Sequence, residues 1–165
     1  QRASFVIVSM RMFRDAPAWG HGFGRFYDKK LPYISDRSQQ IELDSIRGLD
    51  HHNTLLSILT ETGLVGFGLY MTLLVAWTRA AWDLWRDEAR PAWQRRHGVF
   101  TLGVIIAYLA SALFHDLTLS PTEHWMLFLA SGVASGLLSA SRAPATNRAP
   151  SVSPTRSHNW EPLAT

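Results

Sequence analysis

Three stretches of the chain run without a charged side chain for close to a membrane thickness: residues 62–78 (TGLVGFGLYMTLLVAWT), 98–114 (GVFTLGVIIAYLASALF) and 125–141 (WMLFLASGVASGLLSAS). A crossing helix needs roughly 20 apolar residues and manages with about 17. Each stretch is apolar around its whole circumference, whereas a surface helix of a soluble protein keeps one polar face. Gly63, Gly66, Gly68, Gly132, Ser135 and Gly136 recur inside them, and small residues let helices approach closely in lipid. Trp77, Trp82, Trp85 and Trp125 collect near the edges, as in an interfacial belt. The pattern predicts three transmembrane helices; buried helices of a soluble bundle are the alternative.

Ahead of the spans the pattern changes. Phe5, Val8, Met12 and Phe13 recur at helical spacing between residues 2 and 16, which predicts an amphipathic helix. Pro17 ends it, and Gly20, Gly22 and Gly24 follow in a turn-rich piece. Residues 25–50 read as irregular and polar. Asn53 then suits a helix N-cap before Leu55, Leu56, Ile58 and Leu59. The expectation is an all-α polytopic membrane fragment in three parts. Residues 1–61 form an outer segment, 62–141 three crossing helices joined on one side by a loop at 79–97, and 142–165 a tail.

Charge placement orients this arrangement. The 79–97 connection holds Arg79, Arg86, Arg90, Arg95 and Arg96, and basic loops stay in the cytoplasm. The tail, rich in Ala, Pro, Ser and Thr, reads as disordered and belongs on the same side. The 115–124 turn has no Lys or Arg and faces outward, and so does the first segment. That segment nonetheless has eight basic side chains. Translocated long loops escape the charge rule, but the excess still asks for a reason, and a phosphorylated ligand supplies one. A solvated basic surface or attraction to anionic lipid is the plainer explanation.

Composition adds little else. Average hydropathy lies near zero because polar ends dilute the apolar middle. The absence of cysteine excludes disulfides and thiolate metal sites. The chain starts on Gln1 without a signal-peptide pattern and reads as the C-terminal part of a longer protein. Its positive charge is almost all arginine, whose planar fork grips paired phosphate oxygens.

The order of features resembles the core of the O-antigen ligase and polymerase superfamily. Members show an arginine, an aromatic-containing amphipathic helix and a P-x-x-G-x-G turn. A variable loop follows, then a His-Asn pair and an L-x-E-x-G-x-x-G start to a membrane helix. Here these are Arg2, the helix to Asp15, the 17–24 segment PAWGHGFG, His52-Asn53, and the 59–66 segment LTETGLVG. The match covers about residues 1–75. The resemblance implies a GT-C-like inverting glycosyltransferase of the bacterial inner membrane, working without metal, nucleotide sugar or other cofactor and with its active site facing the periplasm. Its partners would be an undecaprenyl-pyrophosphate-linked glycan and an acceptor, the lipid A-core in O-antigen ligation; nucleic acid is not expected. Polymerases and protein-glycosylating enzymes share the same motifs.

Carried over residue by residue, the resemblance makes His52 the catalytic histidine and Arg2 a pyrophosphate-binding arginine. Adjacency to Asn53 favours His52 over its neighbour His51. Displacing pyrophosphate from a sugar carbon requires a base for the acceptor hydroxyl and a cation for the leaving group. Imidazole titrates near neutrality, and guanidinium is always charged. Arg47 is a candidate to assist Arg2. Asn53, Glu61, Gly22 and Gly24 are candidate supports. Gly22 and Gly24 either form a structural turn or offer N–H groups to an anion; Glu61 either orients a site residue or only flanks the span. His115, Asp116, Glu123 and His124 share the outer face and are rival metal ligands, though they lack a compact spacing. A non-catalytic membrane subunit or transporter piece is the competing class.

Overall fold

The computed structural model of the chain describes residues 2–35, 43–48, 53–118 and 120–142. The described residues form six α-helices and one 3-10 turn, with no strand among them. In order these are α1 (Arg2–Asp15), α2 (Phe26–Lys29), α3 (Leu31–Ile34), the 3-10 turn Leu43–Ile46, α4 (Thr54–Arg86), α5 (Ala92–Phe114) and α6 (Pro121–Arg142). The all-α expectation therefore holds. The expected tail, residues 142–165, lies outside the described residues apart from Arg142.

Helices α4, α5 and α6 pack against one another. Leu74, Ile105, Tyr108, Ala112, Leu117 and Leu127 form their common core. Two of them, α4 and α5, are long and apolar enough to cross a membrane. The third, α6, is diluted by Ser131, Ser135 and Ser139 beside its glycines, so two crossing helices meet that standard where the sequence pattern counts three. It is fastened from the side instead. The Thr101 hydroxyl and His97 Nε2 both donate to the Ala130 carbonyl, at 3.3 and 3.1 Å, and Arg90 Nη1 donates to the Leu137 carbonyl at 3.2 Å.

The helices outrun their apolar stretches. Helix α4 continues past Arg79 to Arg86, and α5 starts at Ala92, so the expected 79–97 loop shrinks to residues 87–91. Hydropathy marks where side chains are buried, whereas a helix ends where its backbone is interrupted, here before Pro91. The extra turns are packed, with Ala81 and Leu84 buried. Gly98 of α5 lies so close to α4 that a Cβ would stand 2.7 Å from the Ala81 carbonyl oxygen.

The outer segment also departs from expectation. Where residues 25–50 read as irregular, the described part contains α2, α3 and the 3-10 turn. Phe26, Ile34, Leu43 and Ile46 bury themselves against Phe5, Val8 and Met12 of α1. The apolar side chains are too few and too widely spaced to show a helical period in sequence, yet one amphipathic face gathers them. Lys30 is fully buried, with its ammonium 4.5 Å from the Tyr27 ring centre and 5.4 Å from that of Phe26. It is thus no part of the outer surface charge to which the sequence assigns it.

Candidate functional site

Two junctions fix the end of the bundle that holds Asn53, the one the charge pattern leads us to call outer. The first joins the starts of α1 and α4 to the end of α5. Asn53 caps α4 by accepting from the Leu56 N–H at 2.9 Å, and its amide donates to the Leu113 carbonyl at 3.2 Å. The Thr54 N–H and hydroxyl both donate to the His115 carbonyl, at 3.2 and 2.8 Å. The Leu117 N–H returns to the Thr54 hydroxyl at 2.8 Å. On the same helix end the Arg2 guanidinium lies 5.5 Å from the centre of the Phe114 ring.

Residues 53 and 2 are thus brought to one place, the 113–115 corner of α5. A ring face attracts a guanidinium electrostatically, by about 0.5–1 kcal/mol at an exposed site, without consuming its N–H donors. Arg2 is exposed, and among the described residues no carboxylate pairs with it. Its fork remains available to an anion. His52, like His51, lies outside the described residues; it is the covalent neighbour of Asn53. Arg47 is exposed just after the 3-10 turn that packs on α1.

The second junction lies two helical turns further along α4. Gly63 adopts φ 64° and ψ −165° and breaks the helix. A break leaves carbonyls unpaired before it and N–H groups unpaired after it. The glycine turn fills both sets. His21 and Gly22 donate their N–H groups to the Thr60 and Glu61 carbonyls at 3.2 and 2.9 Å, while Leu64 and Val65 donate to the Pro17 and Ala18 carbonyls at 2.8 and 3.2 Å. The approach is so close that a Cβ on Gly20 would stand 2.6 Å from the Gly63 nitrogen, and one on Gly63 would stand 2.7 Å from that of Gly20. Both glycines have positive φ, a region that L side chains enter only at a cost.

The Glu61 carboxylate completes this knot. It is 4 % exposed and accepts from the Gly24 N–H at 2.7 Å and the Phe26 N–H at 3.1 Å. The carboxylate therefore organises the turn and the start of α2. The Gly22 and Gly24 N–H groups both point at Glu61, so the turn is structural and those donors are not offered to an anion. His21 Nε2 donates to the Met12 carbonyl at 2.7 Å, and the Tyr33 hydroxyl donates to Asp15 at 2.6 Å, which ties the turn to α1. Desolvation and the Asp15 carboxylate push that hydroxyl up to about 12.

The rival metal ligands do not converge. Asp116 accepts from the Thr118 N–H and hydroxyl, and Glu123 accepts from the Ser120 hydroxyl. His124 Nδ1 donates to the Ser120 carbonyl at 2.8 Å, and its Nε2 faces the Tyr108 hydroxyl at 3.2 Å. Among the described residues no three His, Asp or Glu side chains gather as a metal would require. His124 and Tyr108 instead line a cavity of about 260 Å³ with Tyr70, Thr62, Thr118 and Phe23. Sequence reading missed this cavity, because its lining comes from the glycine turn, α4, α5, the α5–α6 connection and α6.

Residues 1–71 match the model of a family described as O-antigen ligase. The matched stretch contains α1, the glycine turn, Asn53 and the break at Gly63, and so takes in most of both junctions. No curated protein and no solved structure matches the chain.

Proposed function

Because residues 1–71 match the model of a family described as O-antigen ligase, we propose that the chain is part of a membrane enzyme moving a glycan from undecaprenyl pyrophosphate to an acceptor hydroxyl. The supporting observation is the meeting of Arg2 and Asn53 on the 113–115 corner. Two ends of the family motif, separated by fifty residues of chain, share one helix end, and the covalent neighbour of Asn53 is His52.

In this reading the acceptor oxygen attacks the anomeric carbon of the donor sugar from the face opposite the pyrophosphate. His52 takes the acceptor's proton. The carbon–oxygen bond to the pyrophosphate breaks, and undecaprenyl pyrophosphate leaves with the electron pair. Arg2, with Arg47 assisting, meets the charge that grows on the departing oxygens. The configuration at carbon inverts. Helix α6 is the third crossing helix, the bundle sits in the bacterial inner membrane, and the site faces the periplasm. Within the family the reading favours ligation to lipid A-core over polymerisation or protein glycosylation. Supplying membranes with lipid-linked glycan and each acceptor in turn separates the three.

The test of the site is His52→Ala in the whole protein. Transfer is expected to be abolished while the protein stays in the membrane fraction, and retained transfer would refute the assignment.

A further inference from the structure

The glycine turn carries two large apolar side chains that the fold leaves uncovered. Trp19 is 76 % exposed and Phe23 is 61 % exposed. Neither is loosely attached, because the turn is hydrogen-bonded on both sides to the broken helix α4. The Ala18 carbonyl accepts from the Val65 N–H, which sets Trp19 beside the first turn of the inner half of α4. Phe23 lines the same cavity as Thr62, Gly66 and Tyr70 of α4 and Phe128 of α6. The neighbouring α4 surface is itself apolar and open, with Leu64, Val65, Leu69 and Leu73 all exposed. Two basic side chains, Arg25 and Lys29, are exposed on the chain that follows.

We propose that Trp19 and Phe23 seat the glycine turn in the interface of the surrounding bilayer, with a surface of anionic phospholipid as the occupant of this uncovered face. The face is continuous with the outward surface of a helix long and apolar enough to cross a membrane. An amphipathic indole favours the headgroup level, and basic residues beside an apolar face favour anionic lipid. The break at Gly63 acquires a purpose. A broken helix in lipid must have its backbone groups satisfied by protein, and the turn supplies those bonds from the side while its own apolar side chains face the lipid. The inference rests on the membrane reading above and adds that the outer segment is embedded at its base.

In a whole-protein background freed of any other cysteine, single-cysteine variants W19C, F23C, L69C and E88C each take one nitroxide, and these 165 residues need no replacement for it. They are placed in the whole protein in bilayers of phosphatidylethanolamine and phosphatidylglycerol. Accessibility to oxygen and to an aqueous nickel chelate is then compared. Labels at positions 19 and 23 are expected to favour oxygen, at a depth between the fully lipidic position 69 and the fully aqueous position 88. If positions 19 and 23 meet the nickel chelate as freely as position 88 while 69 remains lipidic, the seat in the interface is overturned and the membrane reading survives. Should position 69 itself prove aqueous, both fall. Replacing phosphatidylglycerol by phosphatidylcholine is expected to make positions 19 and 23 shallower, and no change in depth removes the preference for anionic lipid.

Discussion

The outer and inner halves of the molecule are held together by different forces. At the outer junction the bonds are polar and mostly backbone: four N–H groups exchanged between the 17–22 turn and the break in α4, and one buried carboxylate accepting from Gly24 and Phe26. At the inner end α4 and α5 touch backbone to backbone at Gly98, and side-chain bonds from Thr101, His97 and Arg90 hold α6. Where the inner half is packed by apolar side chains such as Leu74, Ile105 and Leu127, changes that keep the volume are tolerated, since dispersion contacts are numerous and individually small. The outer half is all-or-none, because an unmade buried hydrogen bond costs more than a made one contributes. The proposed pairing of Arg2 with the His52-Asn53 motif depends on the outer kind of construction.

The sharpest way to break this contrast is Gly63→Ala. Its φ of 64° with ψ of −165° is a region essentially closed to L side chains, at about 1–3 kcal/mol, and overpacking against the turn adds about 1–3 kcal/mol. The outer segment is expected to become protease-sensitive and transfer to be lost, with α5 and α6 still helical by circular dichroism. Glu61→Gln comes next. A glutamine presents only one acceptor oxygen, so either Gly24 or Phe26 faces an amide donor, at a cost of about 1–3 kcal/mol. Loss of transfer without loss of membrane insertion is the expected signature; unchanged proteolysis of the 17–35 region would contradict the role given to the carboxylate.

Gly98→Ala tests the inner half in the same terms. Its Cβ would meet the Ala81 carbonyl, and the helices must separate, at about 1–3 kcal/mol. A lowered thermal midpoint with an unchanged proteolytic pattern in the outer segment is expected. A result in which Gly98→Ala loosens the turn as much as Gly63→Ala would show that the halves are one cooperative unit. The smallest effect belongs to Tyr33. Its hydroxyl is held protonated up to about 12 against an ordinary value of 10.0, so its contribution is complete below pH 10. As pH rises from 10 through 12, the unfolded chain loses the proton first and the contribution disappears. The wild-type thermal midpoint should therefore fall relative to Tyr33→Phe only above pH 10.

Much of this was readable from the chain. The amphipathic period of residues 5–13 predicted α1, Asn53 the cap of α4, and the absence of charge the apolar lengths of α4 and α5. The motif order pointed to the family whose model residues 1–71 match. The role of Glu61 was not readable, because a carboxylate at the edge of an apolar stretch looks the same whether it faces solvent or two N–H groups. Nor was the length of the connection between α4 and α5, since charged and aromatic residues such as Arg79 and Trp85 continue a helix as easily as they leave a membrane.

By itself the sequence determined the helical class, the apolar segments and the residues able to take a proton or grip a phosphate, for these depend on side-chain chemistry and local period. Tertiary structure alone decided that the glycine turn closes the break at Gly63, that Lys30 is buried, and that Arg2 and Asn53 meet on one end of α5. Those outcomes follow from backbone groups and surfaces far apart in the chain satisfying one another, and no local pattern encodes which distant partner a freed N–H will find.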